Sequence, residues 1–304
     1  MSATHKPRVA CELTTERVIA ARAAAGAIEV VFARTLPPGS LAPGLGSANV
    51  ANAAAVREAL ADALAAVGSH SREVIAVLPD AAVRIVLLDF EELPERRQDA
   101  DSVVRFRLKK SLPFDAEQAA LSYDVIRASG SPAPTSGNGA QNVAIRVVAA
   151  VAPSAVLEEY EALFRDAGYS PGVVLPSMLA ALGPVDAAEP TLVLKVDVNT
   201  TSVAIVQGTD LLLYRTLENA HGARLDASVL ADDIYPSLVF FQDNYGVKVE
   251  RILLGGLASV AEIGPALESQ TGARVSDLVS ASQAGQAGNL APSLLAGVVG
   301  ALIG

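Results

Sequence analysis

Glu12-Leu13-Thr14-Thr15-Glu16-Arg17-Val18-Ile19-Ala20 is the stretch that decides the fold. It returns past the midpoint as Asp197-Val198-Asn199-Thr200-Thr201-Ser202-Val203-Ala204-Ile205. Each copy sets an acid at the end of an apolar strand, follows it with a hydroxyl-rich tight turn, and leaves on a second β-branched strand. Around each copy the larger order also repeats: strand, hairpin, second strand, turn, third strand, amphipathic helix, fourth strand. A chain built from two such halves predicts two similar lobes facing each other across a cleft, with Glu12 and Asp197 on its two sides.

Working outward, residues 8–34 read as a three-stranded meander and residues 50–67 as a helix, whose Val56, Leu60, Leu64 and Val67 fall on one stripe. The run 74–78 is a short continuous apolar strand of the kind buried in a mostly parallel sheet. From residue 83 the pattern changes to strand, charged helix, two strands and a second helix ending near 167. Between those two strands, residues 128–141 are a Ser/Gly/Pro/Ala stretch that reads as a mobile hairpin tip. The first half then resumes at 172–175. The expected division is a first lobe over 1–82 and 170–189, an inserted subdomain over 83–169, and a second lobe over 190–304. Residues 280–289 read as a loop before a buried terminal helix.

Composition removes several function classes. The net charge of -10 and pI near 4.8 argue against a nucleic-acid partner held through phosphate contacts, and 4% aromatic residues leave little for base stacking. Cys11 is the single cysteine, so no internal disulfide forms, and its place in a strand reads as a buried, inert thiol. His5, His70 and His221 have no metal-ligand spacing, so no metal site is expected. No nucleophile triad or Walker-type loop is present. The uncharged run 290–304 is shorter than the roughly 20 residues that span a bilayer. A chain soluble by itself is expected, and the first residues lack the apolar core of a leader.

Two strand–hairpin–helix lobes, an acid at each first turn and a strand ending in Gly255-Gly256 resemble the actin/Hsp70/sugar-kinase superfamily. Within it the chain is most similar to the PilM-like proteins of type IV pilus assembly, themselves similar to the cell-division protein FtsA. The residues that carry this are Leu36-Pro37-Pro38-Gly39, Val77-Leu78-Pro79, Leu112-Pro113-Phe114, Tyr123-Asp124-Val125, Ala167-Gly168-Tyr169, Tyr214-Arg215 and Leu253-Leu254-Gly255-Gly256. The resemblance implies an α/β, actin-like (ribonuclease H-like) duplicated fold with an FtsA/PilM-type insertion. It implies ATP and Mg²⁺ as cofactors, held by Glu12, Thr14, Asp197 and Asn199 at the phosphates and by Gly255 and Gly256 at the adenosine.

The resemblance further implies a non-catalytic cytoplasmic scaffold of a pilus or type II secretion platform. Its partner would be the cytoplasmic N-terminal tail of a PilN-like bitopic membrane protein, lying in a groove between the first lobe and the insertion. The chain would then be peripheral to the inner membrane through that partner. Arg105, Arg107, Lys109 and Lys110 are candidates for docking an acidic partner segment, or else simply complement a helix dipole. The competing expectation is an ATPase or small-molecule kinase of the same superfamily.

The sequence also departs from the family. Its Asp-x-Gly turns are here Glu12-Leu13-Thr14 and Asp197-Val198-Asn199, and glycine is what lets a backbone take positive φ beside a phosphate. The family lysine after the first hairpin is Ile19, and the second lobe's outer subdomain is reduced to a loop around 219–222. A degenerate nucleotide site is the expectation.

Overall fold

The computed structural model describes residues 7–46, 48–68, 71–127, 145–219, 226–285 and 290–304. β1 (Val9–Leu13), β2 (Arg17–Ala24) and β3 (Ala27–Thr35) form an antiparallel meander, and α1 (Ala53–Ala66) leads to β4 (Glu73–Leu78), which pairs parallel with β1. The chain then leaves this sheet. β5 (Arg84–Phe90), α2 (Arg97–Leu108), β6 (Ala119–Arg127) and β7 (Ile145–Pro153) build a separate antiparallel sheet in the order β5-β7-β6. α3 (Ser154–Asp166) returns the chain to β8 (Ser170–Pro176), which completes the first sheet in the order β3-β2-β1-β4-β8.

After α4 (Ser177–Ala181) the plan repeats. β9 (Thr191–Val196), β10 (Thr200–Gln207), β11 (Asp210–Glu218), α5 (Ala227–Tyr245), β12 (Arg251–Gly256), α6 (Val260–Thr271) and β13 (Arg274–Asp277) give a second sheet, β11-β10-β9-β12-β13. The chain ends through α7 (Ala281–Ala284) and α8 (Ala296–Ile303). Strand order and direction match between the two sheets, and so does one defect. Ala23 and Arg22 pair with Ile28 and Val30, skipping Glu29, while Val206 and Ile205 pair with Leu211 and Leu213, skipping Leu212.

Local chemistry explains these elements. β1 and β9 are buried along their whole length, as central strands covered on both faces should be. α1 buries Val56, Ala59, Leu60, Ala63 and Leu64 on one stripe and starts at Asn52, whose side chain accepts from the Ala55 amide. α5 stops at Gly246, which takes the left-handed conformation (φ +70°) favoured after a helix end. Three apolar clusters follow. One covers the first sheet with α1 and α3, one covers the second sheet with α5 and α6, and one lies between the two sheets around α4 and α8. A fourth joins the small sheet to α2.

Three expectations change on the structure. The segment read as an insertion over 83–169 is divided by its packing, because α3 buries Val156, Tyr160, Leu163 and Phe164 in the core of the first lobe. The run expected to be a loop over 280–289 contains α7, closed by a reciprocal Ser280–Gln283 capping box. β13 was not anticipated at all, since Arg274-Val275-Ser276-Asp277 has one apolar residue. The hairpin tip 128–141, residues 220–222 of the reduced loop, and all three histidines lie outside the described residues.

Candidate functional site at the interlobe cleft

Because side chains alternate along a strand, Ala10 and Glu12 share the face of β1 that looks toward the second lobe, and Val193 and Lys195 share the corresponding face of β9. Glu12 and Lys195 therefore meet. Lys195 Nζ lies 3.2 Å from Glu12 Oε1, with 6% and 1% of the two side chains exposed. The Ser177 hydroxyl donates to the same oxygen. Glu12 Oε2 is buried without a hydrogen-bond partner, and the first turn of α8 closes over it: a Cβ on Gly297 would collide with the carboxylate. That helix end favours a negative charge beside it.

A second polar link crosses the lobes beside the first. Asp80, in a 3-10 turn after β4, accepts from the Met178 amide at 2.8 Å and from the Ser202 hydroxyl of β10 at 2.8 Å. Burial pushes its carboxyl up, against the opposing pull of Lys195 and these two donors. Burial also works against the charge on Lys195, but the carboxylates of Glu12, Asp80 and Asp197 outweigh it, so the ammonium is held more firmly than in water.

The remaining expected phosphate residues close their own turns. Thr14 donates its amide to the Arg17 carbonyl at 2.9 Å, and its Oγ1 accepts from the Arg17 amide at 3.1 Å. Asp197 Oδ1 accepts from the Val198 amide at 2.7 Å. The Asn199 carbonyl accepts from the Asn219 amide at 2.8 Å, and Asn219 Nδ2 donates to the Asp197 carbonyl at 2.7 Å. Neither Thr14 nor Asn199 takes positive φ; among the described non-glycine residues only Ala25 and Ala48 do.

The glycine pair is explained by packing. Gly256 (φ +80°) pairs with Val196 so closely that a Cβ there would strike the Val196 carbonyl, and a Cβ on Gly255 would stand 3.0 Å from Leu278 Cδ2.

No protein-family model matches the sequence, and no curated protein matches it. Solved structures do. The chain is similar to the PilM-PilN type IV pilus biogenesis complex at a TM-score of 0.75 and 19% identity, over 98% of both chains. It is similar to the ethanolamine utilization protein EutJ from Carboxydothermus hydrogenoformans at 0.52 and 10%, over 98% of this chain and 89% of that one. A Bacteroides thetaiotaomicron protein with an actin-like ATPase fold matches at 0.51 and 10%, over 90% of this chain and 93% of its own. The fold is actin-like.

Within the actin-like fold, the residue that sequence reasoning missed is Lys195. Its signal was a lone lysine in the otherwise apolar strand Thr191–Val196, two residues before Asp197. Ile19, where the family resemblance places a lysine, stands directly across the β1–β2 ladder from Glu12. The cation missing there arrives instead from the opposite lobe. Ser202 and Asp80 were missed because their link arises only when the lobes meet, and Ser177 because it reaches Glu12 from 165 positions away within the first lobe.

The four candidate docking cations lie on or just past α2, outside the cleft. Arg105 is engaged internally, donating to Asp101 Oδ2 at 2.8 Å and to the carbonyls of Ala116 and Ala119 at 2.7 and 3.0 Å. Arg107 lies over the Phe90 ring, and Lys109 pairs with Glu117 at 2.7 Å. Lys110 is exposed.

Proposed function

We propose that this chain is an actin-like scaffold of a type IV pilus or type II secretion assembly platform. In this reading it binds the cytoplasmic N-terminal tail of a PilN-like bitopic membrane protein and reaches the membrane through it. What supports this is the likeness, along almost the whole chain, to the PilM-PilN type IV pilus biogenesis complex. Among the described residues no helix is long and apolar enough to cross a membrane. The tail groove would lie between the first lobe, 1–82 with 170–189, and the inserted subdomain, with 190–304 as the second lobe, and Arg107 and Lys110 are exposed cations of the α2 run that pair with no acid among the described residues.

The same reading makes the protein non-catalytic, with a degenerate nucleotide site. Lys195 already supplies the positive charge beside Glu12, so a Mg²⁺ there would be opposed by the ammonium. Thr14 Oγ1, Asp197 Oδ1 and the Asn199 carbonyl are engaged in hydrogen bonds at their own turns, and Leu278 and α8 crowd Gly255. These residues do not fit a Mg²⁺–triphosphate. One atom favours the competing ATPase reading: Glu12 Oε2, which has an acceptor site to spare.

Calorimetry separates the two readings. Titration with a synthetic PilN-like N-terminal tail is expected to give saturable binding without nucleotide, and titration with MgATP is expected to give none. A silent tail would refute the scaffold reading, and tight MgATP binding would favour the ATPase, which phosphate release would then have to show.

A further inference from the structure

A second groove, bordering the interlobe polar cluster at Tyr214, opens where the small sheet faces the second lobe. It encloses about 360 Å³, in the range of ligand-binding clefts. Its walls are the consecutive residues Arg84 to Leu87 of β5 and Leu212 to Arg215 of β11. Successive side chains of a strand point to opposite faces, so a groove that touches every residue in turn is touching strand edges. Neither edge carries a further strand among the described residues: β5 pairs only with β7, and β11 only with β10. The two edges lie too near each other for an added chain to pair with both, so an extended segment would lie along the groove and be held through its side chains.

The charges in the groove select the chain. Arg84, Arg146 and Arg215 line it against one carboxylate, Asp89, in a protein whose net charge is -10. Arg146 takes up Asp89 through two hydrogen bonds of 2.7 and 3.1 Å and also reaches the Tyr245 hydroxyl at 3.2 Å. Arg84 and Arg215 meet no carboxylate among the described residues. Arg84 is exposed, and Arg215 lies over the half-exposed Phe240 ring at the rim, 5.2 Å from its centre. Arg215 Nη1 also donates to the Ser237 hydroxyl at 3.4 Å, so the guanidinium is positioned by a ring and a neutral acceptor and keeps donors for a carboxylate.

We propose that this groove docks an extended, carboxylate-bearing segment of a partner protein, lying along the groove with its acids on Arg84 and Arg215. The proposal goes beyond the scaffold reading and does not rest on it. Since the protein as a whole repels acidic peptides, binding of one reports a local site.

The test is fluorescence anisotropy on the full chain with two labelled octapeptides, one alternating valine with glutamate and the other valine with lysine. The glutamate peptide is expected to bind. The Arg84→Glu/Arg215→Glu double variant is expected to bind it weaker by roughly tenfold or more and to bind the lysine peptide better than the parent does. An exchanged preference cannot come from unfolding. Equal binding of the two peptides by the parent, or unchanged glutamate-peptide binding by the variant, overturns the proposal. The PilN-like tail is the second arm: its binding should survive the double variant. Loss of tail and glutamate peptide together would show one groove rather than two and overturn the proposal.

Discussion

Lys195 of β9 and Glu12 of β1 form an ion pair across the two lobes, 3.2 Å apart and almost wholly out of water. In a site where the resemblance implies a metal and a triphosphate, the polypeptide provides both charges itself.

Breaking that pair from one side strands the other charge. Lys195→Met alone is expected to cost about 3–5 kcal/mol in urea unfolding, because a buried carboxylate is left unpaired. Glu12→Gln with Lys195→Met should recover most of that loss, since a neutral, well-packed pair carries no desolvated charge. If the double variant is no more stable than Lys195→Met, the two side chains are not coupled.

The pH dependence follows from the sign of the lysine shift. Lys195 holds its proton more firmly folded than at the ordinary 10.5, so its contribution is complete below that value and fades as pH rises beyond it. The stability gap between the parent and Lys195→Met should therefore be constant at neutral pH and shrink in alkali. A gap that widens above pH ~10.5 would contradict the assignment.

Gly297 has no room for a methyl group because the Glu12 carboxylate is there. Gly297→Ala should destabilise by about 1–3 kcal/mol, the usual range for overpacking. Adding Glu12→Ala should make the Gly297→Ala step nearly neutral, and an unchanged penalty on that background would place the strain elsewhere.

Placing glycine at the two turns where the resemblance implies it should not create nucleotide binding. Thr14→Gly with Asn199→Gly frees two turns but leaves Lys195 beside Glu12 and α8 over it. MgATP titrations of this variant are expected to stay flat. A saturable isotherm would show that turn chemistry alone had closed the site.

Cys11 is fully buried, and burial together with the neighbouring Glu12 charge pushes its thiol far up. The native protein should resist a thiol-specific disulfide reagent at pH 8 and react at once when unfolded in urea. Rapid modification of the folded chain would mean that β1 opens.

Arg105 and Lys110 should differ although they sit in one cationic run. Arg105→Ala removes one hydrogen bond within α2, to Asp101, and two that tie α2 to the carbonyls of residues 116 and 119, and should cost about 1.5–3 kcal/mol. Lys110→Ala should stay within about 0.5 kcal/mol. Equal effects on thermal unfolding would remove the structural role of Arg105.

The duplicated fold was legible because the hairpin with its leading acid is a local pattern, and a period of two in β1 or of 3.6 in α1 is written in neighbouring residues. Strand β13 was illegible for the opposite reason: its four residues carry no alternation, and only pairing with β12 makes them a strand. The same distinction runs through the site. Glu12 and Asp197 stood out at the ends of apolar strands, whereas the partner of Glu12 lies 183 positions away and is fixed by how the two sheets face each other. The helix α3 was read correctly as a helix and assigned to the insertion, because sequence order says which strands flank it and not whose core receives Tyr160 and Phe164.

The unpaired Glu29 and Leu212 are each the third residue of the third strand of their sheets. A supernumerary residue therefore stands at the same place in both halves, and neither copy can be removed alone. Deleting either residue would shift the rest of its strand by one, turning every core side chain beyond it toward water. The bulge thus works as a register lock, tying the turn end of the third strand to the buried face of the rest in each lobe.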